Sequence, residues 1–166
     1  MSTSISTKPP SPNPLEGFPD PTTMPAPAYL SRLCTLLVSY LNDHPITDYK
    51  PVMEKYLSPN FRYESEGPNA FLNATTRDEY YAHLVALTQD APNLRVEPTD
   101  ILVDVDEGRG KATLRSTSAV KAVFETSSAI VRECVEVTRW TRRADGEWVC
   151  DRLTLMTGPG SAMFDV

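Results

Sequence analysis

The hydrophobic period of this chain changes once, and the change limits the fold more than any other feature. From Tyr29 the apolar residues Leu30, Leu33, Cys34, Leu37 and Leu41 recur at spacings of three and four, the signature of a helix with one buried stripe. After Pro92 the spacing becomes that of strands: Leu94 to Val105, Lys111 to Val120, Ala129 to Arg142 and Glu147 to Met156. The first two runs are joined by Asp106-Glu107-Gly108-Arg109-Gly110 and the last two by Arg143-Ala144-Asp145-Gly146, where Asp-Gly is a hairpin signal. Helices first and strands afterwards predict an α+β domain with its helices on one face of an antiparallel sheet.

Between these halves lie three shorter elements. Asp48 is the expected N-cap of a second helix, with Pro51 in its first turn and Val52, Met53, Tyr56 and Leu57 on its buried side. Phe61, Tyr63 and Ser65 alternate with Arg62, Glu64 and Glu66 as in a half-buried strand, and a loop follows through Gly67-Pro68. Thr76 and Glu79 form a capping-box signature for a third helix reaching about Gln89, with Tyr80, Tyr81, Leu84, Val85 and Leu87 on its apolar side. Ahead of all of these, residues 1–27 hold eight of the fifteen prolines, too little apolar surface to offset chain entropy. They are expected to form a disordered or extended arm, with Leu15, Phe18 and Met24 as points at which it could lie along the domain. The domain is expected to span residues 28–158, leaving 159–166 as a tail.

Sixteen Lys and Arg against twenty-two Asp and Glu give a net charge of −6, and the basic residues are scattered, which argues against a nucleic-acid partner. No apolar run approaches the ~20 residues of a membrane span. Cys34, Cys134 and Cys150 lack metal-ligand spacing, and the first residues lack the apolar core of a secretion signal, so the expected compartment is the cytosol and no metal is expected. The acidic stretch Asp104, Asp106 and Glu107 lacks the ligand spacing of a calcium loop.

This order of elements, with Tyr40-Leu41-Asn42 late in the first helix, Tyr56-Leu57-Ser58-Pro59-Asn60-Phe61 entering the first strand, and Thr138-Arg139-Trp140 before Asp145-Gly146-Glu147-Trp148, resembles the nuclear transport factor 2-like superfamily, and within it SnoaL-like small proteins. The resemblance covers about residues 28–158. It implies a cone-shaped α+β barrel in which a curved antiparallel sheet wraps around the N-terminal helices and encloses a deep pocket, a homodimer, and chemistry without a cofactor. Relatives include ketosteroid isomerases, polyketide cyclases, scytalone dehydratase and non-catalytic transport factors, so the fold alone does not choose a function.

By the same resemblance, the proton-shuttling carboxylate of ketosteroid isomerases falls at Ser65, between Glu64 and Glu66; their helix tyrosine falls at Leu37; and their protonated acid falls at Glu136, where a carboxyl remains. Glu136 in an apolar cone would have a raised pKa and an available proton. Tyr63 would offer a hydroxyl beside it. Tyr40 and His83 complete the candidate catalytic set, and Phe61, Ser65, Cys134 and Trp140 are the candidate substrate-binding positions. The expected ligand is an apolar small molecule undergoing isomerisation, cyclisation or dehydration. The alternative is a non-catalytic ligand-binding or dimeric interaction module of the same fold.

Overall fold

The structure, a computed structural model, describes residues 13–66, 73–122 and 130–157. Residues 1–12 of the arm, the loop at Gly67-Pro68, the start of the third long strand at Ala129, and the tail 159–166 lie outside the described residues.

Helix α1 (Ala26–Asp43) starts directly after Pro25 and turns Tyr29, Leu30, Leu33, Cys34 and Leu37 inward. Helix α2 (Ile46–Tyr56) begins earlier than expected: Pro45 is its N-cap, Asp48 lies in its first turn, and Pro51 sits in the helix interior. The reason is local. Pro45 has extended dihedrals (φ −57°, ψ 143°), and the Asp48 N–H already donates to its carbonyl at 2.9 Å, closing the first turn. The chain passes from α2 into strand β1 (Leu57–Glu66) without an intervening loop. Helix α3 (Arg77–Asp90) carries the expected cap: Thr76 Oγ1 accepts from the Glu79 N–H at 3.2 Å. The Glu79 carboxylate reaches one residue further back, accepting from the Thr75 N–H and hydroxyl at 2.7 and 2.8 Å, and these bonds hold its pKa below the usual carboxylate range.

Strands β2 (Arg95–Asp106), β3 (Lys111–Ala122), β4 (Ile130–Arg142) and β5 (Trp148–Thr157) pair antiparallel in sequence order. At the β4–β5 turn, Gly146 takes φ +88°, a conformation that favours glycine, and Asp145 accepts from the Glu147 N–H at 3.1 Å. β1 then adds to the far edge beside β5, parallel to it, giving the order β1-β5-β4-β3-β2. This corrects two expectations. The sheet is mixed, because β1 reaches β5 only through the crossover containing α3 and three strands. It is also open, since β1 and β2 remain separate edges and the curved sheet does not close into a barrel.

Each edge is capped. Asn42 of α1 donates to the Val96 carbonyl at 2.7 Å and accepts from the Val96 N–H at 2.9 Å, satisfying the outward backbone groups at the start of β2. On the other edge, Tyr63 and Ala74 exchange backbone hydrogen bonds of 2.9 and 3.0 Å. The core lies between the helices and the concave face, where Phe61, Leu114, Trp140, Trp148 and Cys150 meet Leu30, Leu33, Val52, Met53 and Tyr56. Residues 13–25 cross the helices in short turns; Leu15, Phe18 and Met24 pack against this core, and Phe18 stacks on Tyr56 at 5.3 Å.

The Asn42 clamp makes the first testable claim. Replacing Asn42 with Ala strands two backbone groups, and each costs about 1–3 kcal/mol when left without a partner away from water. Urea unfolding of Asn42→Ala is therefore expected to show a stability loss of about 2 kcal/mol with an unchanged m-value. A loss below about 0.5 kcal/mol, typical of a surface substitution, contradicts the clamp.

Candidate active site in the concave face

Alternation along the strands decides what the concave face presents. On β3, Ala112, Leu114, Ser116, Ser118 and Val120 are buried while Lys111, Arg115 and Lys121 are exposed. On β4, Cys134, Thr138 and Trp140 are buried on the same side as Glu136, and Val135 and Arg139 face out. A register slip of one residue would have turned this set over. The register instead places Glu136 opposite Ser116 on one side and Leu155 on the other.

These elements enclose a cavity of about 160 Å³. Its walls are apolar: Leu37, Val38 and Leu41 from α1, Leu84 and Leu87 from α3, Phe61 from β1, and Leu153 and Leu155 from β5. Its polar groups are few. Glu136 supplies a carboxyl, Tyr49, Tyr63 and Tyr80 supply hydroxyls, and Thr138, His83, Cys34 and Cys150 complete the set.

The Glu136 side chain is half-buried and lines the cavity. Burial pushes its pKa up to about 7, and the Ser116 hydroxyl offsets part of that rise. No cation acts on it among the described residues. Burial likewise raises the Tyr49, Tyr63 and Tyr80 phenols above their usual range, so all three stay protonated and serve as hydrogen-bond donors. The thiol of Cys34 is pushed up to about 12 and that of Cys150 also upward, which leaves them as neutral wall groups without thiolate reactivity. No group of three or more His, Cys, Asp or Glu is arranged to hold a metal among the described residues.

The positions of the tyrosines follow from local structure. Tyr63 is fixed by pairing on both sides, to Leu153 of β5 and to Ala74. Its ring stacks on Tyr80 at 5.1 Å, and Phe61 packs against Tyr80 in a tilted arrangement at the same distance. Trp140 closes the wall, its indole Nε1–H donating to Thr138 Oγ1 at 2.8 Å. His83 also lines the cavity, one helical turn from Tyr80, with Nδ1 buried and without a hydrogen-bond partner among the described residues.

Five of the eight candidates from the sequence therefore line one cavity: Glu136, Tyr63, His83, Phe61 and Trp140. Three do not. Tyr40 lies off the inward stripe of α1 and stacks on His44 at 3.9 Å, in an outer groove of about 350 Å³ that it shares with Phe18 and Leu36. Cys134 faces inward but is covered by Val120 and Leu155, and its thiol donates to the Ser118 carbonyl at 3.6 Å. Ser65 lies toward the end of β1, its N–H donating to Asn73 Oδ1 at 3.0 Å, and takes no part in the lining. Sequence reasoning missed Tyr49 and Tyr80. Both stand at helical spacing among apolar residues, where an aromatic reads as core; only the meeting of α2, α3 and β1 around a void makes them site residues.

No family model matches the chain, and no curated protein matches it by sequence. Solved structures do. A nuclear transport factor 2-like protein with a cystatin-like fold from Novosphingobium aromaticivorans aligns at 20% identity over 78% of this chain and 82% of its own, with a TM-score of 0.57. ActVI-ORFA from Streptomyces coelicolor aligns at 16% identity over 78% and 95%, with a TM-score of 0.60. A nuclear transport factor 2-like protein of unknown function from Pseudomonas putida aligns at 11% identity over 85% and 95%, with a TM-score of 0.64. At these identities the likeness concerns architecture alone: the chain has the α+β fold of nuclear transport factor 2-like proteins.

Proposed function

We propose that the concave cavity is an active site for proton transfer on an apolar, ring-sized molecule, with Glu136 as the acid and base. One observation carries this reading: a single carboxyl with a pKa of about 7 in an otherwise apolar cavity, facing tyrosine hydroxyls that remain protonated. Near neutral pH such a group is present in both forms, so it can take a proton from one atom of a bound molecule and return it to another. Tyr63, with Tyr80 beside it, donates to a carbonyl oxygen on which negative charge develops during the transfer. Isomerisation, cyclisation and dehydration all fit this arrangement, and none requires a cofactor. Size narrows the ligand. An apolar cavity of about 150 Å³ accepts benzene, so about 160 Å³ suits one ring with small substituents.

A second reading has its own support. Ser65 and Leu37 stand where the resemblance implies a shuttling carboxylate and a helix tyrosine, which favours a ligand-binding module without turnover. Under either reading we take residues 28–158 as the functional domain, 1–27 and 159–166 as appendages, and the cytosol as the compartment.

We also propose a homodimer through the outer face of the sheet. Val135 is 38% exposed there and Val137 half-buried beside it on β4, and Leu102, 71% exposed on the edge strand β2, lies across exposed Arg115 from Val137; the side chain of Val131, expected in one row with Val135 and Val137, lies outside the described residues. Apolar side chains exposed on one sheet face favour self-association. Sedimentation at micromolar concentration is expected to give twice the chain mass of 18.4 kDa, and Leu102→Asp with Val135→Asp to return it to 18.4 kDa. A parent that sediments as a monomer contradicts the dimer.

Glu136→Gln tests the site in two ways. With a substrate found by screening single-ring ketones and alcohols, turnover should fall by roughly 100- to 10,000-fold while binding persists; Tyr63→Phe should lower turnover more than affinity. Equal turnover in parent and Glu136→Gln refutes the acid/base role. No turnover of any compound, with binding retained, selects the module reading.

The second test needs no ligand. Because the folded-state pKa is raised from 4.5 to about 7, the folded protein keeps a proton that the unfolded chain releases, and stability falls as pH rises through that window. Glu136→Gln lacks this penalty. Its stability relative to the parent should climb between pH 4.5 and about 7 and level off above, by at most about 3 kcal/mol. Parallel stability curves for the two proteins show that Glu136 is solvated.

A further inference from the structure

We propose that Ser116 is the positioning residue of Glu136: its buried hydroxyl, directly across the β3–β4 pair, holds the carboxyl in place and donates to it once it is ionised. The inference rests on the reading of Glu136 as the acid and base, and concerns a residue outside the cavity lining.

Ser116 and Ser118 are 2% and 1% exposed, on the inner side of a strand whose other inward positions are Ala112, Leu114 and Val120. Serine there is costly unless its hydroxyl has a partner. Yet neither Oγ closes a hydrogen bond among the described residues. The two differ in what they face. Ser118 stands opposite Cys134, whose thiol bonds the Ser118 carbonyl and leaves the hydroxyl unused. Ser116 stands opposite Glu136, where directly paired side chains begin about 5 Å apart.

A hydroxyl suits a carboxyl that changes charge, because it donates to the ionised form and accepts from the protonated form by turning about one bond. In this structure the Ser116 hydroxyl closes no hydrogen bond, but it stands on the residue paired with Glu136, where it opposes the rise in pKa that burial causes. The proposal is that the contact tightens when Glu136 ionises. Among the described residues Ser116 is the one hydrogen-bonding group that acts on the Glu136 carboxyl. The titratable groups that act on or beside Glu136 are Cys34 of α1, Tyr49 of α2, Tyr63 of β1, Tyr80 of α3, Cys134 of β4 and Cys150 of β5, and burial keeps all of them uncharged at neutral pH. His83 of α3 lines the same cavity from the helical side, across from the serines on the sheet.

The test is a carboxyl titration by carbon NMR in protein labelled at glutamate, with the Glu136 resonance assigned by its absence from Glu136→Gln. The parent midpoint should lie at about 7. In Ser116→Ala, loss of a donor to the charged form should raise it by roughly one unit, a tenfold gain in proton affinity. Ser116→Thr, which keeps the hydroxyl, should restore the parent value. Ser118→Ala removes an equally buried hydroxyl one pair along and should leave the midpoint in place. If the alanine variant does not fold, Ser116→Cys, a weaker donor, should still raise the midpoint. An unmoved midpoint on removal of the Ser116 hydroxyl, or an equal rise in Ser118→Ala, overturns the proposal while leaving the reading of Glu136 intact. A parent midpoint near 4.5 overturns that reading, and the serine variants then still report whether the pair interacts.

Discussion

The proposed chemistry depends on one costly arrangement: a carboxyl group in a largely apolar cavity, with no cation acting on it among the described residues. In water the charged form of Glu136 would be solvated; inside, desolvation favours the proton. The ion pairs of the described residues lie elsewhere. Arg152–Glu64 and Lys121–Glu97 are on the outer side of the sheet, Arg142–Glu107 joins two turns, and all involve partly exposed side chains. The interior is thus poor in charge, and its few polar groups, the tyrosine hydroxyls and two serines, matter more for that reason.

The sheet makes this arrangement stable. An open, curved sheet presents alternate residues of three central strands to the helices, and the bulge between Cys150 and Arg152 keeps Cys150, Leu153 and Leu155 on the concave side although their spacing is uneven. Both free edges are engaged, β2 by the Asn42 side chain and β1 by Ala74. The second contact also holds Tyr63 facing Tyr80, so an edge-protecting bond positions a hydroxyl of the site. Deep burial of Phe61 and Trp140 in the cavity lining fixes its walls without closing the sheet.

The long elements were legible in the sequence because their periods are sustained. The three- and four-residue spacing from Leu30 to Leu41 and the alternation from Lys111 to Val120 leave little choice of face, whereas the inward direction of Glu136 was implied only by the resemblance and not by any period in the sequence. Three things were not legible. Pro51 reads as a first-turn proline, but Pro45, extended and already accepting a hydrogen bond from Asp48, starts the helix sooner. The parallel pairing of β1 with β5 joins residues about ninety positions apart, and no local pattern records it. Tyr40 and Tyr80 look alike on a helical wheel, each near an apolar stripe; their fates diverge because the N-terminal segment covers one through Phe18 and a void borders the other.

The central claim is the state of the Glu136 proton, and infrared spectroscopy reads it without a substrate. A protonated carboxylic acid in an apolar site has a carbonyl stretch separate from the amide and carboxylate bands. At pH 6, well above the ordinary glutamate value of 4.5, the spectrum of the parent should contain such a band, absent from Glu136→Gln and lost from the parent as pH rises through about 7. Superimposable spectra of parent and variant in that region at pH 6 would show an ionised Glu136 and contradict the account.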